Sequence, residues 1–242
     1  MKMKKMLNYV EKKKFLFALL FVIPLMFAAC KKSDSGPGTP VAGLMAFNLI
    51  PSGGSIGIDL SGSLLSNSPL LYTNYTGTYL NIYPGQRTAT TFDAGSNKSL
   101  ATSSFNFEPG KYYSIFALGN DSNYTNLVVN DELDTLTSAT GQAYIRYVNA
   151  IPDSSVSTFT MASNNEPVIT NSSKYATISD FKGVTPGNFS VSISNGSTIN
   201  ATRTVTLEKS KVYTVLLVGI PGQTDTTKSV QIKYISNGTL TP

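Results

Sequence analysis

Residues 143–155, AYIRYVNAIPDSS, read as the start of a domain in the middle of the chain, because a related signal occurs earlier as AFNLIPSGGSIGI at residues 46–58. Asn149 and Pro152 repeat Asn48 and Pro51 at an offset of 101 residues, and Pro186 and Gly187 repeat Pro84 and Gly85 at 102. LEKSKVYTVLLVG at 207–219 repeats FEPGKYYSIFALG at 107–119, an offset of 100. Landmarks in one order at a near-constant offset mark an internal duplication, and each copy has an ordinary single-domain size. The expected units are 43–134 and 141–242, with a linker at 135–140 inside the polar stretch DELDTLTSATG, 131–141. Asp153 is not shared, since the first copy has Ser52 at that place. The segment is therefore a strand and its exit turn, where Pro ends the ladder and Asn bonds the local backbone.

Working outward, the signals are strands and turns at short spacing. Phe189, Val191 and Ile193 alternate with Ser190, Ser192 and Ser194, the period of a strand with one face in a core. Arg203, Val205 and Leu207 alternate with threonines in the same way. Gly, Pro, Asn and Asp clusters punctuate these runs, and helix formers are scarce. The predicted fold is all-β: two tandem immunoglobulin-like, Greek-key β-sandwiches of roughly seven strands each. With one Cys and no Trp, both cores must rest on Tyr, Phe, Val, Ile and Leu. Val212–Val218 is apolar on both faces, as is its counterpart Tyr112–Leu118. Such strands need cover on both sides. A loop or the other domain is the expected cover, and a partner surface is the alternative.

Residues 1–29 have the three-part pattern of a signal peptide: a Lys-rich start, an apolar run from Phe15 to Ala29 interrupted by Pro24, and small residues before Cys30. The run is too short for a membrane span, which takes about 20 residues. FAAC, Phe27 to Cys30, resembles a bacterial lipobox, so Cys30 is the expected lipidation site and the lipid the expected membrane contact. Residues 30–42 then form a flexible tether of Lys, Ser, Gly and Pro, whose CKKSD start is similar to that of many lipoproteins from the Bacteroidetes. The expected location is the outer membrane or cell surface, with the facing side left open. Six of the 19 basic residues precede Cys30 with a single acid, leaving 13 basic against 13 acidic beyond it. That balance offers no electrostatic footprint for nucleic acid.

YIRYVNAIPDSSV, the spacing Tyr175, Phe181, Val184, Pro186, Gly187, and then KVYTVLLVG together resemble the bacterial domain of unknown function 4397. The second unit matches over nearly its full length, and the first at Asn48, Pro51, Pro84, Gly85, Lys111, Tyr113 and Gly119. The chain departs from the family's habit of an acid after the Val of its second strand, having Ser157 there. The resemblance implies extracytoplasmic β-domains, often in tandem on lipoproteins. It implies no activity and carries over no catalytic residue.

Histidine is absent, which removes Ser-His-Asp and Cys-His nucleophiles and the commonest metal ligand. The neighbours Ser173, Lys174 and Ser210, Lys211 cannot meet from adjacent strand positions. No catalytic residue, metal site or cofactor is assigned. Asp131, Glu132 and Asp134 would suit Ca²⁺ between domains, but no EF-hand spacing is present and a solvated linker is the favoured reading. Tyr72, Tyr83, Tyr112 and Tyr124 lack aromatic counterparts in the second unit and are the candidate ligand-binding residues. Tyr75 and Tyr79, matched by Tyr175 and Phe181, are assigned to packing. The expected function is a non-catalytic envelope lipoprotein with a glycan or protein as its ligand. The alternatives are a polysaccharide-binding accessory protein using those tyrosines, and an adhesion or envelope structural subunit.

Overall fold

A computed structural model describes residues 39–241. The expected signal peptide, the expected lipidation site Cys30 and most of the expected tether lie outside the described residues. Residues 40–242 cluster as one compact unit. Repeat 1 contains β1 (Ala42–Asn48), β2 (Ile56–Leu60), β3 (Ser63–Leu64), β4 (Leu80–Ile82), β5 (Gly85–Asp93), β6 (Ser99–Phe107), β7 (Tyr112–Asn120) and β8 (Asn123–Asn130). A single 3-10 turn, Leu133–Thr135, leads to repeat 2. That repeat contains β9 (Ala143–Asn149), β10 (Ser157–Ser163), β11 (Glu166–Ser173), β12 (Thr177–Ile178), β13 (Lys182–Val184), β14 (Gly187–Ser194), β15 (Asn200–Leu207), β16 (Lys211–Val218) and β17 (Gln231–Thr239).

Each repeat is a sandwich of two sheets with the same strand order. Repeat 1 pairs β4-β1-β7-β8 against β3-β2-β5-β6; repeat 2 pairs β12-β9-β16-β17, with β13 also on β9, against β11-β10-β14-β15. The first strand runs parallel to the seventh, Gly43 opposite Tyr112 through Asn48 opposite Ala117, and β9 repeats this against β16. A parallel pair cannot be closed by a hairpin, so the rest of the repeat, crossing to the other sheet and back, forms the connection. The alternating strands lie as their patterns require, with Phe189, Val191, Ile193, Val205 and Leu207 all inside the repeat-2 core.

The two sandwiches stack as four layers with three cores. Leu44, Ala46, Tyr113, Ile115 and Ala117 fill repeat 1, and Ile145, Tyr147, Tyr213, Val215 and Leu217 fill repeat 2. The other faces of the same strands meet each other: Met45, Phe47, Leu49, Phe116 and Leu118 pack with Val148, Ala150, Leu216 and Val218. Phe47 stacks between Phe116 at 4.6 Å and Tyr75 at 5.4 Å. The doubly apolar strands are thus covered by the other repeat, and every residue of β1 and β9 is buried. An adhesive subunit that needs those faces at an intermolecular contact is not supported, since they are occupied within the chain.

The duplicated landmarks share local causes. The Ile50 N–H donates to Asn48 Oδ1 and the Ile151 N–H to Asn149 Oδ1, both at 3.0 Å, fixing the exit turns before Pro51 and Pro152. Asn48 Nδ2 also donates to the Leu70 carbonyl at 2.9 Å. The Glu108 and Glu208 N–H groups donate to the hydroxyls of Tyr113 and Tyr213, at 2.9 and 3.1 Å. A buried tyrosine therefore fastens the turn before its own strand in both copies.

Candidate functional site

The junction between the repeats holds a closed polar network inside an apolar core. Arg146, on the outer face of β9, places Nη1 2.6 Å from Asp131 Oδ1, with the two side chains 3% and 0% exposed. Its Nη2 donates to Ser114 Oγ at 2.9 Å and its Nε to Thr214 Oγ1 at 3.0 Å. Ser114 and Tyr79 donate their hydroxyls to Asp131 Oδ2, at 2.7 and 2.5 Å, and Thr214 donates to Asn237 Oδ1 at 2.7 Å. The guanidinium also lies 4.3 Å from the Phe181 ring centre, a cation–π contact. Burial, and then the charge of Asp131, push the Tyr79 phenol well above the usual tyrosine range.

The network is built from matching positions of the two repeats. Met45 corresponds to Arg146, Ser114 to Thr214, and Tyr79 to Phe181 at the repeat offset. Asp131 and Asn237 hold equivalent places at the ends of β8 and β17. Asn237 Nδ2 reaches Met45 Sδ at 3.9 Å, so the Met45–Asn237 contact is the counterpart of Arg146–Asp131. The two halves meet through the same face, as in a two-fold dimer, with the charges on one side of the pseudo-axis only.

Asp131 therefore corrects the solvated-linker reading: it is 2% exposed, and the cation it faces is Arg146. Asp134 is exposed, and Lys111 Nζ, 2.5 Å away, holds its carboxyl below the usual range. Among the described residues, no group of three or more His, Cys, Asp or Glu side chains is placed to share a metal ion. Sequence reading missed Arg146 and Asp131, which are separated along the chain and become neighbours only when the sandwiches stack. The available signal was a charged residue in a strand otherwise apolar on both faces.

The four candidate tyrosines do not converge. Register puts Tyr83 and Tyr112 at the Ala42 end of β1, and Tyr72 and Tyr124 toward its Asn48 end. Tyr112 covers Gly43, where an added Cβ would lie 2.5 Å from its ring, and meets Tyr79 edge-on at 5.1 Å. Tyr124 lies over Gly119, and its hydroxyl donates to the Asp121 carbonyl at 2.6 Å. Tyr83 is 66% exposed, beside a cavity of about 240 Å³ lined by Leu60, Leu64, Ile82 and Arg87. Tyr72 packs into the junction core, where burial pushes its phenol up to about 12, the nearby Gly219 backbone pulling it back slightly.

That shift has a sign that can be measured. An unfolded tyrosine ionises near 10, while folded Tyr72 keeps its proton to about 12. Its contribution is therefore complete below pH 10 and is lost as pH rises toward 12. Tyr72→Phe should flatten the alkaline fall in stability by about 1.4 kcal/mol per pH unit in that window. At neutral pH it should change stability little, because the Gly219 backbone is near the hydroxyl but makes no well-formed hydrogen bond to it. Urea midpoints followed across the window test this, and identical slopes for the two proteins would contradict it.

Among the described residues, two clefts are of a size to take a ligand. One of about 580 Å³ opens at the junction between the β7–β8 hairpin and repeat 2, lined by polar residues that include Asp121, Asn123, Asp153 and Lys174, with Tyr175. Another of about 370 Å³ enters repeat 2 beside β12 and β13.

The family model for DUF4397, a domain of unknown function, matches residues 42–155 and 143–233. No curated protein matches the chain. Among solved structures, a proposed cell adhesion protein from Bacteroides eggerthii is 9% identical with a TM-score of 0.24, covering 82% of this chain and 95% of its own. One from Bacteroides fragilis is 9% identical with a TM-score of 0.23, covering 79% and 86%. One from Parabacteroides distasonis is 8% identical with a TM-score of 0.21, covering 82% and 100%.

Proposed function

The chain belongs to the DUF4397 family and carries the domain twice, and on that premise we propose that it is a non-catalytic lipoprotein of the bacterial cell envelope. The protein is held at the outer membrane or cell surface by acyl chains on Cys30 and presents the paired sandwiches as one rigid body. The observation that carries this reading is the N-terminal sequence: basic start, short apolar run, small residues, and the chain's only cysteine at the cleavage point. Among the described residues no helix is long and apolar enough to cross a membrane. The absence of histidine and the neutral charge beyond Cys30 favour a binding or structural role over catalysis or nucleic-acid contact.

Expression in a bacterial host with labelled palmitate tests the anchor. The wild-type chain should take up label and sediment with membranes. Cys30→Ala should lose both, and a variant that still sediments fully with membranes would overturn the reading.

A further inference from the structure

The two repeats differ on the inner face of one sheet edge, and the difference is a cavity. In repeat 1, Leu65 bonds Ile58 (2.8 Å, N–H to carbonyl) and Leu70 bridges Ile56. Both leucines pack against the repeat-1 core at these positions, and the repeat-1 cavity of about 240 Å³ lies farther along the edge, at Leu60, Leu64, Leu65 and Ile82. At the repeat offset Ile58 becomes Phe159 and Ile56 becomes Ser157. Their partners on β11 are Asn171 and Ser173, so repeat 2 has Asn and Ser where repeat 1 has two leucines.

The repeat has an open cleft here and, beyond its lining, two orphaned hydroxyls. The cavity of about 370 Å³ has Ile145, Tyr147, Phe159, Ile169, Ile178 and Phe181 as its apolar walls, with Asn171 among its polar groups. It opens to solvent beside Asn171, Asp180 and Lys182, which are exposed. The next pair along the same inner face, Ser157 and Ser173, is 1% and 0% exposed, and neither hydroxyl has a hydrogen-bond partner among the described residues. A buried hydroxyl left unpaired costs about 1–3 kcal/mol, which a sandwich edge built only for packing would avoid by keeping the leucines. The backbone makes room as well. Ser179 still bonds Tyr147, but Asp180 and Phe181 interrupt the pairing with β9 between β12 and β13, and Lys182 Nζ reaches across to the Val168 carbonyl at 3.2 Å.

We propose that repeat 2 alone holds a small-molecule site at this edge, for an uncharged ligand with an aromatic or aliphatic body and one hydrogen-bonding group. The apolar walls take the body, and the Asn171 amide, which can both donate and accept, meets the polar group. Charge is selected against. Three charged residues line the cavity: Arg146 is already paired with Asp131, and Asp180 and Lys182 carry opposite signs, so no unpaired charge is left to offset the hydration an entering ion would give up.

Indole serves as the probe, since it is neutral, aromatic, and carries one N–H. The chain has no Trp, so indole fluorescence reports binding without background. The full chain bearing Cys30→Ala removes the acylation site, so success or failure here is separate from that of the anchor. The expected result is saturable binding of one indole per chain, with its anionic relative indoleacetate at least tenfold weaker. Asn171→Leu, which installs the repeat-1 residue, should weaken indole at least tenfold without loss of stability. Should that variant fail to fold, Ile169→Phe, two residues away on the same strand, fills the same space and should give the same loss. The proposal is overturned by no saturable binding, by indoleacetate binding equally well, or by unchanged affinity in a folded cavity-filled variant, which would place the indole elsewhere.

Discussion

Asp131→Ala is expected to cost about 3–5 kcal/mol, far more than an ordinary surface aspartate, because it leaves the Arg146 guanidinium buried without its counter-ion. Tyr79 and Ser114 lose their acceptor in the same step. The more discriminating variant is the pair Arg146→Met with Asp131→Asn. Met and Asn already occupy the equivalent positions 45 and 237, in contact across the same junction. The double variant therefore gives both sides of the pseudo-axis a pairing that the fold already accommodates. It should recover to within about 1–2 kcal/mol of the wild type, since neutral replacements of a buried ion pair are often tolerated while a broken pair is not. Urea unfolding of the wild type, Arg146→Met, Asp131→Asn and the double variant gives the coupling energy directly. Coupling below about 1 kcal/mol would mean that the pair is not the isolated buried unit described above. Asp131→Ala should also separate the unfolding of the two repeats into two transitions.

Gly219→Ala is the second large effect. Gly219 has φ of +114°, and an added Cβ would stand 2.2 Å from the Ser229 carbonyl oxygen and 2.5 Å from its carbon. The obstacle is backbone, so no side-chain rotation relieves it, and the left-handed conformation adds its own strain. A loss of about 3 kcal/mol is expected. Gly110→Ala is the control: its φ of +74° carries similar conformational strain, but nothing lies within 4 Å of the added Cβ. It should cost only about 1 kcal/mol. Thermal melts of the two variants separate close approach from conformational strain, and equal losses would show that the contact with Ser229 is relieved by local movement.

Gly119 and Gly219 illustrate what the sequence could disclose. They closed the repeated block at 107–119 and 207–219, and the structure gives both positive φ beside the following strand. Periodicity likewise found the one-sided strands and the two-sided ones, because side-chain direction along a strand has a fixed period of two. The parallel pairing of β1 with β7 was not readable, since pattern records burial and not which neighbour supplies it. Asp131 was misread for a related reason: its sequence neighbours Glu132 and Asp134 are polar, whereas its spatial neighbours Tyr79, Ser114 and Arg146 come from three other segments. The tyrosines had the opposite difficulty. Tyr112 and Tyr124 lack aromatic counterparts, yet each covers a glycine, a local packing role that composition cannot separate from a ligand contact. The repeat-2 cavity was also hidden, because Asn171 and Ser173 are unremarkable strand residues until their positions are set against Leu65 and Leu70.

The placement of β1 has a mechanical consequence. This strand begins at Ala42 and is bonded on one side to β4 and on the other to β7. A pull arriving through the residues before Ala42 runs along its axis and loads its hydrogen bonds together in shear. An edge strand such as β17, paired only with β16, would peel from its neighbour one bond at a time. Tension at the N-terminal end therefore falls on a strand gripped from both flanks and buried on both faces.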